Sequence, residues 1–236
     1  MVNLIYFFIT HTLHSTKLLI QCKCDFRNIL RFMIYLHRND LPDDFVKSVK
    51  TSIAIDTETM GLMPHRDRLC LSQFSIGDGN AHLVQFNDYA NSKNICKILG
   101  DEKVVKIFHY ARFDVMMLYK YLGCMTKNIY CTKIASKLSR TYAPKHSLLD
   151  LCKEILGIEI SKEQTCTDWG SENLTEEQKE YAANDVLYLH QLKEKLDLLL
   201  KREGRFELAT QCFIFIETRA KLDLIAGENY DIFSHS

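Results

Sequence analysis

The 236-residue sequence predicts an α/β domain built on a mixed β-sheet flanked by helices. Three observations carry that expectation. Ile53-Ala54-Ile55-Asp56-Thr57-Glu58 reads as a buried strand that ends in charge. Between residues 81 and 123 a strand, a helix, a second strand and a second helix follow one another, a βαβ rhythm that implies at least one parallel strand pair. Two later helical stretches each carry an aspartate inside an otherwise apolar stripe.

Taken in order, Met33-Ile34-Tyr35-Leu36-His37 opens the first strand, and Asn39-Asp40-Leu41-Pro42-Asp43-Asp44 is the turn after it. The acid-bearing strand leads into a loop, Gly61 to Arg68, marked by its Gly, Pro and charge content. Leu69 to Ile76 and Ala81 to Phe86 are two further strands joined by the hairpin Gly77-Asp78-Gly79-Asn80, and the three strands form one side of a sheet. No helix follows these glycines at phosphate-cradle spacing, so they are turn residues. Lys93 to Leu99 is a short helix stopped by Gly100, and Val104 to Phe108 is the next strand. The helix after it closes at Gly123 with a left-handed cap.

Ile129 to Leu138 is amphipathic and reads as a helix. Ser147-x-x-Asp150 starts another, with Leu148, Leu151, Cys152, Ile155 and Leu156 as its buried stripe and Gly157 as its stop. Thr175-x-x-Gln178 is a second capping box, opening a long helix that runs to about Arg202 and breaks at Gly204. Residues 206–224 are helical in period, in one piece or two. Trp169, the sole tryptophan, is expected to hold its loop on the core rather than stack on a base.

Strand alternation puts Asp56 and Glu58 on one face, roughly 7 Å apart. Taken alone, they read equally well as surface acids at a strand end. In the helix after Phe108, the face from Tyr110 is Tyr110, Asp114, Met117, Leu118 and Tyr121; neither Arg112 nor Lys120 shares it with Asp114. In the long helix the inward face is Tyr181, Ala182, Asp185, Tyr188, Leu189 and Leu192. A buried carboxylate neutralises, pairs or binds a metal. Four acids without local partners call for hard divalent cations, which accept an all-oxygen site. Two such ions about 3.5 to 4 Å apart can activate a water and stabilise a leaving oxygen in phosphoryl hydrolysis.

With those residues in place, the chain resembles the DEDD superfamily of 3'-5' exonucleases, in its tyrosine-bearing branch, and most of all short ribonuclease D-like proteins. Asp56-Thr57-Glu58 is similar to the first family motif, His109 to Asp114 to the second, and Tyr181-Ala182-Ala183-Asn184-Asp185 to the third. The resemblance covers roughly Met33 to Leu224. It implies an RNase H-like fold and two divalent ions, Mg²⁺ or Mn²⁺, held by Asp56, Glu58, Asp114 and Asp185. Tyr181 then positions the attacking water. The implied substrate is the 3' end of single-stranded or frayed RNA; a DNA-directed exonuclease and a non-catalytic nucleic-acid-binding module are the rival readings. Thr59 and Leu62 follow the first motif and are candidates to contact the terminal sugar and wedge a base. His109 is a candidate to orient a phosphate or Asp114. Lys145, His146 and Lys162 are phosphate-contact candidates on charge and position. Simple loop packing for Leu62, a satisfied structural histidine for His109 and a solvated face for the lysines are the competing readings. The family commonly places an acid where this chain has Cys131, so a supporting hydrogen bond is in doubt.

Lys plus Arg and Asp plus Glu balance at 30 each. That balance argues against gripping long duplexes by bulk charge. It does not argue against an enzyme that holds one end, where bound metals supply local positive charge. Nine cysteines, an odd number with no Cys-x-x-Cys pair, favour neither a zinc site nor a disulfide framework. They read as small buried hydrophobes in a reducing, cytoplasmic compartment. Residues 1–32 form an extension of different character. Its apolar run Ile5 to Ile9 is far shorter than the roughly 20 residues that span a bilayer. Its basic residues leave a transit-peptide reading open. Residues 33–226 are the expected exonuclease domain and 227–236 a polar tail.

Overall fold

The computed structural model describes residues 32–160, 168–226 and 232. The expectations for the N-terminal extension, for Lys162 and its neighbours, and for the polar tail apart from Ile232 lie outside the described residues.

Six strands form one sheet in the order β1-β4-β3-β2-β5-β6. These are β1 (Ile34–Arg38), β2 (Ser52–Thr59), β3 (Leu69–Ser75), β4 (Ala81–Gln85), β5 (Val105–Phe108) and β6 (Ile129–Cys131). β3 runs antiparallel to both β2 and β4, whereas β1 pairs with β4, β5 with β2 and β6 with β5 in parallel. The β3–β4 hairpin closes through Gly77 and Gly79 at φ 83° and 85°, a left-handed backbone that a side chain would strain. Register places Leu36, Leu83, Gln73 and Asp56 in one row across four strands. Seven consecutive buried residues in β3 mark it as covered on both faces.

The helices are α1 (Asp43–Ser48), α2 (Lys93–Gly100), α3 (Ala111–Leu122), α4 (Thr132–Ser139), α5 (Leu148–Leu151), α6 (Glu176–Leu187), α7 (Leu189–Arg202) and α8 (Phe206–Ala226). α5 runs on as a π-helical turn, Cys152–Leu156, which Gly157 ends in the left-handed conformation. α6 lies across β2, β3 and β4, and α3 packs against α8. A bidentate ion pair joins those two helices: Arg112 Nε and Nη2 donate to Asp223 Oδ2 and Oδ1 at 2.6 and 2.7 Å. Asp223 is 1% exposed and also meets Arg219 at 3.0 Å. This mixed sheet between helices is the RNase H-like arrangement. Among the described residues no helix is long and apolar enough to cross a membrane.

Three local expectations are corrected. The stretch from Ile129 is not one helix: Ile129–Cys131 is captured as an edge strand by parallel pairing with β5, and α4 begins only at Thr132. The long helix from Thr175 is interrupted at Tyr188, whose φ −103° and ψ −5° stay in the right-handed region but depart from regular helix values and divide α6 from α7. The cysteines are not all free. Cys96 and Cys124 form a disulfide, with Cα atoms 5.6 Å apart, which joins the middle of α2 to the chain leaving α3. That proximity arises between residues 28 apart in sequence. Cys70, Cys131 and Cys152 are buried and free, as expected.

Candidate active site

β2 carries Asp56 and Glu58 on alternate positions, and α6 brings Asp185 over them. One carboxylate oxygen from each of the three lies within 4.8 Å of the other two. The local sequence explains how a helix reaches so close. Thr175 Oγ1 accepts from Gln178 N at 3.2 Å while Gln178 Oε1 accepts from Thr175 N at 2.8 Å, which fixes where α6 begins. Ala182 and Ala183, both fully buried, then let the helix backbone approach the sheet.

Asp114 enters from the first turn of α3 and is 5% exposed. It is not one of the three converging acids. Its Oδ1 accepts a 2.6 Å hydrogen bond from Thr57 Oγ1, yet its charge still acts on Asp56, Glu58 and Asp185. The structure thus brings three of the four acids together and holds the fourth beside them through Thr57.

Burial pushes every one of these carboxyls up. Asp56 and Glu58 lie well above the usual carboxylate range, first through burial and then through the neighbouring acids. Burial, followed by the charge of Asp114, raises Asp185 to about 7. Burial raises Asp114 to about 7 against the opposing pull of the Thr57 hydroxyl. Among the described residues none of the four forms an ion pair with a Lys, Arg or His. Such a cluster holds protons until a cation replaces them, and its all-oxygen donor set suits a hard divalent ion.

Tyr181 precedes Asp185 by one turn of α6. Burial first, and then the charges of Asp185, Glu58 and Asp56, push its hydroxyl above the ordinary phenol range. It therefore stays a neutral hydrogen-bonding group beside the acids. Its ring packs on Trp169 at 6.1 Å between centroids, and Trp169 is 5% exposed, so the tryptophan serves the core and braces Tyr181.

The remaining candidates are spread around this centre. Thr59 commits its hydroxyl to Gly61 O at 2.5 Å, closing the turn after the strand. Leu62 is 76% exposed, which removes the loop-packing reading. Its loop is pinned by Tyr121 Oη donating to Asp67 O at 3.1 Å and Arg68 Nη2 donating to Gly170 O at 3.2 Å. His109 Nδ1 lies 2.9 Å from Thr132 Oγ1, and burial, helped by Lys133, pushes its pKa down to about 3, which favours the neutral imidazole. Lys145 is exposed on the loop before α5, next to His146, whose Nδ1 lies 2.8 Å from Ser136 Oγ. Burial pushes the Cys131 thiol up, against the opposing pull of the backbone at Ile134, Ala111, Tyr110 and Lys133. Sequence reasoning missed Thr57. The signal was present: a hydroxyl between two acids, on the opposite strand face, where an apolar residue was due.

A mixed sheet whose central strand ends in two carboxylates, met by a third from a helix that also carries a tyrosine, defines a metal-dependent nuclease domain. The chain belongs to the 3'-5' exonuclease family, on its ribonuclease D-like DEDD branch; the family model described as "3'-5' exonuclease" matches residues 33–201. Among solved structures it is similar to Brucella melitensis NrnC bound to pGG, with 48% identity and a TM-score of 0.82, covering 86% of this chain and 98% of that one. The same Brucella protein with bound Mg²⁺ gives 47% identity and a TM-score of 0.81, covering 86% of this chain and 99% of that one. The ribonuclease D of Desulfotalea psychrophila is 29% identical over 138 residues, which is 58% of this chain. The chain spans 37% of that relative's length.

Proposed function

We propose that residues 33–226 form a divalent-metal-dependent 3'-5' exoribonuclease that removes terminal nucleotides from short or frayed single-stranded RNA. The observation that carries this reading is the convergence of Asp56, Glu58 and Asp185 within 4.8 Å on half-buried sites. The similarity to a protein whose structures contain Mg²⁺ and pGG supports both the metal class and a short oligonucleotide as substrate. Asp56, Glu58 and Asp185 would hold one ion, and Asp56 with Asp114 a second. When bound, such ions supply Lewis-acid charge for phosphodiester hydrolysis.

The chain's own residues do the rest. Tyr181, neutral and braced by Trp169, donates or accepts a hydrogen bond that orients the attacking water. Leu62, an exposed apolar side chain on a pinned loop, is placed to wedge against a terminal base. RNA is preferred over DNA in this reading on the likeness to ribonuclease D proteins. A cytoplasmic site of action fits that substrate class, while the Cys96–Cys124 disulfide is the feature a reducing compartment would oppose.

The test is a 5'-labelled single-stranded oligoribonucleotide, beside its DNA counterpart, with Mg²⁺, Mn²⁺ or chelator. A ladder shortened stepwise from the 3' end is expected, lost with chelator and with Asp56→Asn at unchanged circular dichroism. Internal cuts, or an Asp56→Asn protein as active as the parent, would overturn the reading. Faster loss of the DNA would transfer the site to the rival substrate.

A further inference from the structure

Gln73 sits in the middle of β3, directly across the antiparallel pair from Asp56 and on the same face of the sheet. It is 0% exposed, and neither its Oε1 nor its Nε2 has a hydrogen-bond partner among the described residues. A buried amide with both ends unpaired destabilises a fold relative to an apolar side chain of similar shape. The row it occupies continues into Leu83 and Leu36, so an aliphatic residue would complete it. Gln85 offers an internal comparison. It stands one row along on the same face, opposite Leu71, and donates from Nε2 to Ser171 O at 2.7 Å. One end of the Gln85 amide is thus paired, although its Oε1 is not, whereas Gln73 has neither end paired among the described residues.

What Gln73 does have beside it is Asp56. Directly opposed residues on one face of an antiparallel pair hold their Cβ atoms about 4.5 to 5.5 Å apart, within reach of a long side chain. A glutamine brings both a donor and an acceptor to that distance, whereas a carboxylate would add a fifth negative charge and a methionine neither function. We infer that Gln73 is a positioning residue of the divalent-ion centre: once an ion is bound, its amide hydrogen-bonds the Asp56 carboxylate and the ion's hydration shell. It thereby fixes which Asp56 oxygen faces Glu58 and Asp185. This rests on the metal-dependent reading of the site and goes beyond it by assigning a residue outside the acid motifs. Groups that orient ligands in this way change metal affinity by about 10- to 100-fold when removed.

The experiment uses Gln73→Met, which keeps length and removes both polar ends, on the full chain. Calorimetric Mn²⁺ binding and the melting temperature of the chelator-treated protein are read on one preparation. Mn²⁺ affinity weakened by about tenfold or more, with a melting temperature equal to or above the parent's, is the expected result. Unchanged Mn²⁺ affinity overturns the inference at any melting temperature. So does a parallel fall in both, which would make Gln73 a structural residue. If the parent itself binds no Mn²⁺, the metal-dependent reading fails, and this inference falls with it; a parent that binds and a variant that binds equally well removes Gln73 alone.

Discussion

Thr57 Oγ1 donates a 2.6 Å hydrogen bond to Asp114 Oδ1, tying the strand that carries two of the acids to the helix that carries another. By strand alternation Thr57 faces away from Asp56 and Glu58, so its hydroxyl is available to α3. A hydrogen bond to a charged acceptor contributes about 1.5 to 3 kcal/mol. Thr57→Val should therefore lower the rate at neutral pH by about tenfold or more, and Thr57→Ser should restore most of it. The hydroxyl stabilises the ionised carboxylate, so its loss raises the Asp114 pKa further and moves the acidic limb of the pH–rate profile upward. An unshifted limb would show that the bond has no bearing on ionisation.

The raised carboxyl pKa values make a second prediction about the metal-free protein. Folded Asp114 and Asp185 keep protons up to about 7, whereas the unfolded chain releases them near its ordinary value of about 4. Between those limits the unfolded state binds fewer protons, so this contribution to stability falls as pH rises. In chelator the melting temperature should lose ground from about pH 5 to about pH 8, and Asp185→Asn should flatten that slope. Added Mg²⁺ should raise the melting temperature more at the higher pH. A slope identical in parent and Asp185→Asn protein would contradict the assignment.

Tyr181→Phe should separate turnover from metal binding. The hydroxyl carries no charge into the cluster, and the ring contact with Trp169 survives the substitution. Misorientation of the attacking group by about 1 Å can lower a rate on the order of a hundredfold. Single-turnover cleavage should fall by about that factor while calorimetric Mn²⁺ affinity stays within about twofold. Equal losses in both would instead assign Tyr181 to assembly of the site.

The Cys96–Cys124 bond closes a loop across 28 residues, for which chain entropy predicts roughly 3 to 4 kcal/mol. Cys96→Ser with Cys124→Ser should lower the melting temperature accordingly. Peptide mapping after alkylation without reduction should leave both cysteines unlabelled. Labelling of both would show them to be free thiols.

Periodicity made much of this legible. The alternating strand at Asp56, the glycine-closed hairpin and the two capping boxes each have a local physical cause, and each stands where that cause puts it. Three residues of β6 are too few for a period of two to be told from one of 3.6, so α4 seemed to extend back through them. Tyr188 divides α6 from α7 without a glycine or proline to announce it. At the site, acids on apolar faces were conspicuous because burial makes a carboxylate expensive. The Thr57 hydroxyl was legible as a misplaced polar group, but its partner Asp114, the brace of Trp169 on Tyr181 and the disulfide depend on which elements meet in three dimensions, and no spacing along the chain encodes that.

The ion pair between Arg112 and Asp223 gives the far end of the chain a mechanical connection to the chemistry. Arg112 stands two positions before Asp114 on the same short helix, gripped through both guanidinium nitrogens by a carboxylate that solvent scarcely reaches. Any load on α8 is thus delivered to the first turn of α3, like a latch whose bolt and handle lie on different parts of a door. A lesion at position 223 would then be scored in a genetic screen beside lesions in the acids themselves, though it touches none of them.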